Sequence, residues 1–158
     1  MPKSIHTLAA FQRAVDLAVD VYAVTSSFPR SELYGLTAQI RRSATSVPSN
    51  IAEGQGRLSY GEWRQFLSQA RGSLFEVEAQ IVIAERLEFL MPQDTPRVRK
   101  RIREAGKALA GLIEWVKEQE RKAKQPSNSA TKQPITAKTQ SAPPYPPPKA
   151  PRTLPPAT

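Results

Sequence analysis

Catalysis by side chains needs a nucleophile, a general base or a set of metal ligands, and this chain supplies few of them. Its 158 residues include one histidine, His6, and no cysteine. That excludes Cys-His pairs, leaves a Ser-His pair nothing but His6 to draw on, and removes most zinc arrangements. Carboxylates are more plentiful, with Glu76, Glu78, Glu85 and Glu88 close together. A carboxylate di-iron bundle, however, needs a Glu-x-x-His pair on each of two helices. These glutamates read instead as a solvated helix face that pairs with nearby arginines. Gly54-Gln55-Gly56 lacks the Lys-Ser/Thr and the preceding strand of a phosphate loop. The expectation is a protein that is not an enzyme and holds no metal or cofactor.

Cations are the more telling set. Arg97, Arg99, Lys100, Arg101 and Arg103 crowd the opening turns of a helical segment. Each opposes the positive end of the helix dipole at about 0.3–1 kcal/mol when exposed. Arg99 and Arg103, four apart, also repel one another. Nothing nearby in sequence rewards this placement except Glu85 and Glu88 on the preceding helix. A polyanionic partner would, because the guanidinium fork bonds phosphate bidentately. Arg41, Arg42, Arg57 and Arg64 are expected to extend the surface, with Tyr60 in the core or at its rim. Glu53, two residues beyond Ile51, reads as half of a structural ion pair with Arg57, Arg41 or Arg42.

Overall charge agrees. The formal net charge is +9. Residues 1–122 hold 18 Lys and Arg against 14 Asp and Glu, and residues 123–158 hold five basic residues and no acidic one. A basic balance in both parts favours polyanions. No run approaches the roughly twenty apolar residues of a membrane span. The N-terminal apolar stretch is interrupted by Gln12, Arg13 and Asp16, so it is no signal peptide. A cytoplasmic location is the expectation.

The elements that must position these cations are helices. The spacing predicts a first helix over 7–26 with two apolar stripes. One is Leu8, Phe11, Val15, Ala18, Tyr22 and Thr25; the other is Leu17, Val21, Val24 and Phe28. Phe28-Pro29 ends it, and Ser31 is a candidate cap for the second helix, with Glu32 at its positive end. In that second helix Leu36, Ile40, Ala44, Val47 and Ile51 share one face. Pro48 is expected to kink or restart it, and Gly54 and Gly56 to give an exit with positive φ. Ser59 with Glu62 is a capping-box signature opening a third helix to about Leu90. Its seam is Trp63, Leu67, Ala70, Leu74, Val77, Ile81 and Ala84, with Phe75, Ala79, Val82 and Phe89 as a second flank. Thr95-Pro96 is expected to cap a fourth helix whose seam is Val98, Ile102, Ala105, Leu109, Leu112 and Val116, fraying near Arg121.

Four such helices with short connections specify an all-α, up-down-up-down antiparallel four-helix bundle over 1–122. The additional stripes imply self-association. Ten of fifteen prolines lie in 123–158, which reads as a disordered basic Pro-rich tail. Pro143 to Pro151 favour polyproline II, and Pro144 to Lys149 fit a PxxPxK pattern.

The middle of the chain resembles a known family. The carrying residues are Phe28-Pro29, Tyr34-Gly35-Leu36, Gln39 to Ala44, Ser46-Val47-Pro48, Asn50 to Gly54, Arg57, Ser59, Phe66-Leu67, Ala70, Gly72-Ser73-Leu74 and Glu76. They are similar to the bacterial four-helix-bundle proteins named after reading frames in intervening sequences of 23S ribosomal RNA genes. Pro48, Asn50, Glu53 and Gly54 form its structural motif, and the likeness spans about residues 8–118. The resemblance implies a cytosolic bundle assembling as a homopentamer. A related group, the accessory variability determinants of diversity-generating retroelements, binds nucleic acid and a reverse transcriptase.

Two functions follow as expectations. The first is a non-enzymatic, oligomeric nucleic-acid-binding accessory protein, for RNA rather than DNA. The alternative is a protein-interaction scaffold, including a reverse-transcriptase accessory subunit.

Overall fold

The computed structural model describes residues 4–125. A short 3₁₀ turn, Ile5–Thr7, precedes four α-helices: α1 (Ala9–Thr25), α2 (Leu36–Gln55), α3 (Tyr60–Arg86) and α4 (Thr95–Lys124). No strand occurs among the described residues. The helix pairs in close contact are α1–α2, α2–α3, α3–α4 and α1–α4. Each helix therefore touches its chain neighbours, and α1 and α3 occupy opposite corners of the ring. At about 1.5 Å per residue, the 27 residues of α3 set a height of about 40 Å. Among the described residues no helix is long and apolar enough to cross a membrane. The readings of the Pro-rich tail lie outside the described residues, apart from its first three, and α4 itself runs to Lys124.

The seams of α3 and α4 pack as their spacing requires. All seven α3 seam residues are buried, and so are all six of α4, joined by Ile113. In α2, Ile40, Ala44, Val47 and Ile51 are buried, while Leu36 is half-buried. On α1 and just beyond it, the stripe of Leu17, Val21, Val24 and Phe28 is buried as expected, whereas the other stripe departs from expectation. The buried face of α1 is Ala10, Ala14, Leu17, Val21 and Val24, flanked by Ala18 and Thr25. Phe11 and Val15 are half-buried and Tyr22 is exposed.

Several boundaries differ from the sequence reading for identifiable reasons. Ser31 lies in a 3₁₀ turn, Arg30–Glu32, and caps nothing. Glu32 performs the task, its carboxylate accepting the Leu36 N–H at 3.0 Å. Ser59 does cap α3: its Oγ accepts the Glu62 N–H at 3.2 Å and donates to the Glu62 carboxylate at 2.7 Å. Thr95 is the first residue of α4 rather than its cap, and Asp94 precedes it without a side-chain cap bond. α3 stops at Arg86 instead of Leu90. There Glu88 takes a positive φ of 58°, while Phe89 N–H bonds Ala84 O and Glu88 N–H bonds Glu85 O. That is a Schellman closure built on a non-glycine residue, and it carries Phe89 onto Phe28, with ring centroids 5.9 Å apart.

Pro48 does not restart α2, which is unbroken from Leu36 to Gln55. Hydroxyl and amide side chains serve the neighbouring carbonyls. Thr45 Oγ1 donates to Arg41 O, Ser49 Oγ to Thr45 O, and Asn50 Nδ2 to Ser46 O. Gly54 and Gly56 also act differently from expectation, since no glycine among the described residues has positive φ. Gly54 is buried within α2 because α3 crosses it closely. A Cβ there would lie 2.6 Å from Trp63 Cδ1 and 2.9 Å from Phe66 Cβ. Gly56 is right-handed (φ −74°), and its nearest neighbour to a Cβ would be Glu53 O at 3.4 Å.

Gly54→Ala should therefore destabilise the bundle by about 1–3 kcal/mol through overpacking. Gly56→Ala should be neutral or add up to about 1 kcal/mol. Urea unfolding of both variants checks this, and equal destabilisation would count against the close crossing.

Candidate nucleic-acid interface

The cations picked out by sequence do not converge on one patch. At the opening of α4, Arg101 turns toward α1: its Nε donates to Asp20 Oδ2 at 2.9 Å, and its Nη1 lies 3.6 Å from Asp16. Glu104 is a third partner at 3.3 Å. Arg99 turns the other way, to α3, where it forks onto Glu85 at 2.8 and 2.5 Å. Arg97 pairs with Asp94 at 3.6 Å and Lys100 with Glu104 at 3.9 Å. This corrects the idea that nothing rewards cations there. Carboxylates from α1 and α3 meet them; Glu85 on α3 was the candidate the sequence offered, while Asp16 and Asp20 on α1 were invisible along the chain. Glu88 takes no part, since it has left the helix.

The remaining predicted cations are similarly dispersed. Arg41 lies over the Tyr22 ring, 4.7 Å from its centroid, and donates to Thr25 Oγ1 at 2.8 Å. Arg42 is exposed and holds Gln39. Arg57 is paired with Glu53 and covers the Phe66 ring at 4.4 Å. Glu53 is thus a structural partner as expected, though it is exposed rather than buried. Arg64 pairs with Glu120 at 3.0 Å. Tyr60 belongs to a packed aromatic group with Trp63 and Trp115, at 6.4 and 6.2 Å. Glu76, read as solvated, accepts from buried Ser43 at 2.9 Å and ties α3 to α2. Asn50 continues this α2–α3 link through Ser46, whose Oγ lies 2.9 Å from Ser73 Oγ.

One coherent cationic feature remains, along the seam between α3 and α4. Three depressions of about 370, 310 and 170 Å³ share walls there, Arg71 between the first two and Arg103 between the last two. Together they form a furrow flanked by Arg64, Lys117, Arg71, Lys107, Arg103 and Arg99. Arg64, Lys117 and Arg99 are held by Glu120, Glu114 and Glu85. Arg71, Lys107 and Arg103 are exposed and have no carboxylate partner among the described residues. Only Arg103 of these three was picked out by sequence. Arg71 was legible in retrospect: Arg64, Arg71, Glu78 and Glu85 recur every seven residues, a row flanking the α3 seam.

The ion pairs shift acidities as their geometry dictates. The hydrogen bonds from Arg99 hold the Glu85 carboxyl below its ordinary value, against opposing desolvation. Glu120 is lowered by the Lys124 ammonium, with Arg64 adding to it. Among the described residues no group of three or more His, Cys, Asp or Glu is placed to hold a metal ion.

The fold and this furrow define an all-helical bundle that displays unneutralised cations along one seam. Residues 6–111 match the family described as 23S rRNA-intervening sequence protein, and the chain belongs to that family. A solved structure of a protein of unknown function from the S23 ribosomal protein family of Bacteroides thetaiotaomicron shares the fold, with a TM-score of 0.61 at 21% identity. The match covers 66% of this chain and 97% of that one. No curated protein matches the chain.

The Glu85–Arg99 pair gives a pH-dependent prediction. The Glu85 carboxyl has a lower pKa folded than unfolded, so its stabilisation is complete above the unfolded value near 4.5 and is lost as pH falls through the folded value. Glu85→Gln should cost a few tenths to about 1 kcal/mol at neutral pH. The gap from wild type should close on acidification below pH 4.5. Thermal melts across that range test it.

Proposed function

We propose that this protein is a non-enzymatic, oligomeric nucleic-acid-binding accessory protein whose partner is RNA. The observation that carries this reading is the placement of Arg71, Arg103 and Lys107 on one furrow, none of them in an ion pair among the described residues and with Glu78 as the single carboxylate on that wall. Exposed guanidinium and ammonium groups on a rigid helical wall attract phosphate and release counterions when they engage it. Membership of a family named for ribosomal RNA intervening sequences supports RNA over DNA. The cations tied to carboxylates are assigned to stability instead, Arg101 and Arg99 above all.

Self-association belongs to the same proposal. Val19 (63% exposed) and Tyr22 (47%) lie on the outer face of α1, and Ile83 (48%) lies on that of α3 beside Ala79. Two unlike apolar faces at opposite corners of one protomer suit a head-to-tail ring rather than a two-fold dimer. The homopentamer implied by the sequence resemblance is such a ring, and it would act in the cytoplasm.

Two measurements test these readings. Replacing Arg71, Arg103 and Lys107 by Gln should weaken RNA binding. The slope of log affinity against log salt should fall by about 0.7–0.9 for each phosphate that is no longer neutralised. Arg101→Gln should leave that slope unchanged and lower the melting temperature. Equal slopes in all variants would remove the furrow from the interface. For assembly, light scattering of wild type should give a multiple of the 17.5 kDa chain, and Ile83→Lys should shift it toward the monomer. A monomeric wild type would end the ring proposal.

A further inference from the structure

We propose that the middle of the furrow takes up an unstacked base and its neighbouring phosphates from a single-stranded nucleic acid, with Phe75 as the stacking platform. The inference rests on the nucleic-acid reading above and adds to it the strandedness of the ligand and the mode of contact.

The argument begins with Phe75. It lines the same depression of about 310 Å³ as Arg71, Arg103 and Lys107, and it is 61% exposed. Most other rings of the bundle are engaged: Phe28 with Phe89, Tyr60 with Trp63 and Trp115, His6 with Phe11, and Phe66 beneath Arg57; Tyr34 is exposed but does not line the furrow. Among the described residues, Phe75 alone combines an open ring with unneutralised cations on both walls. An exposed phenylalanine on a helix beside charged groups gains nothing by burial in the protomer. It suits a planar apolar partner that brings its own negative charge.

The floor is shaped to match. Gly106 on α4 contributes no side chain, and a Cβ there would meet only Leu74 Cδ2, at 3.6 Å. The space over Gly106 is therefore bounded by Phe75 and Leu74 on α3 and by the α4 backbone. The volume lies at the small end of the range for ligand sites, about 300–1,000 Å³, which fits a single base rather than a larger body. Glu78 is the one carboxylate lining this depression. It stands toward Arg103 and Arg99, so it disfavours phosphate at that end and moves the backbone toward Arg71 and Lys107.

Strandedness follows from access. A paired RNA helix offers phosphates and 2′-hydroxyls but keeps its base faces stacked, whereas a single strand can splay a base onto an aromatic ring. Cations flanking a stacking platform track such a strand with little preference among bases. A duplex would use the cations and leave Phe75 idle.

The test uses the full chain and fluorescence anisotropy with a labelled uridine-rich RNA strand, an RNA duplex of equal length, and uridine monophosphate as competitor. The strand should bind more tightly than the duplex. Phe75→Ala should weaken strand binding on the order of tenfold without changing the salt slope, and Phe75→Trp should retain it. Gly106→Leu fills the floor, keeps every charge and favours the helix, and it should also weaken the strand. It decides the matter if Phe75→Ala alters the assembly mass. Equal affinity for strand and duplex overturns the inference. So does displacement of the strand by the mononucleotide at matching concentration, which would make this a small-nucleotide site. Wild-type strand affinity in both Phe75→Ala and Gly106→Leu, with salt-sensitive binding preserved, sinks the base pocket and leaves the nucleic-acid reading standing. Absence of salt-sensitive binding to any nucleic acid by wild type removes both.

Discussion

The crossing of α3 over α2 at Gly54 is the contact on which the rest of the bundle depends. Trp63 is fully buried, and its pyrrole edge lies where a side chain on residue 54 would begin. The indole N–H has no acceptor among the described residues, so the position is held by apolar contact and shape. Two hydroxyl links further along, Ser43 to Glu76 and Ser46 to Ser73, fix the sliding register of the pair. Once α3 is set against α2, its remaining seam residues leave only one side for α4. The furrow lies on the far side of α3, against α4, and Gly54 contributes no atom to it.

Charge is distributed around that frame in two ways. At the start of α4, cations that oppose the helix dipole are met by carboxylates from both neighbours: Asp16 and Asp20 from α1, and Glu85 from α3. Solvent screening leaves exposed pairs of this kind with little net stabilisation. Their effect is to orient α4 between its two neighbours. Toward the middle of α4 the ion pairs run out, and Arg103 and Lys107 share a depression with Arg71 whose one carboxylate, Glu78, forms an ion pair with none of them. Like charges gathered on one furrow weaken the free protein slightly and are relieved by a polyanion. The position of a cation along α4 thus separates those paired with carboxylates from those without such a partner among the described residues.

The legibility of these features tracks the range of the interactions involved. Seams of α3 and α4 were readable because heptad spacing is a local property, and a buried Leu74 or Ile102 needs no knowledge of its partner. The Ser59 cap was readable for the same reason. Ser31 misled because a glutamate one residue on, Glu32, reaches the first free N–H of α2 once the 3₁₀ turn has formed. On α1 the stripe of Leu17, Val21, Val24 and Phe28 was readable, whereas Ala10 and Ala14 were missed because alanine carries almost no apolar signal. The cationic cluster at 97–103 misled in part: Glu85 was legible as a partner on the preceding helix, but Asp16 and Asp20 lie far back along the chain, on α1.

The sequence by itself determined that four amphipathic helices would pair in order around one core, because period and punctuation are written in adjacent residues. It also determined the excess of positive charge and the scarcity of catalytic side chains. Which cations are spent on the protein and which remain for a partner was decided only in three dimensions. An ion pair depends on the distance between groups from different helices, and that distance is set by how closely the backbones approach. Arg101 and Arg103 are two residues apart in the same helix. One is bound to Asp20 and the other faces an open furrow, and only the rotation of α4 against its neighbours tells them apart.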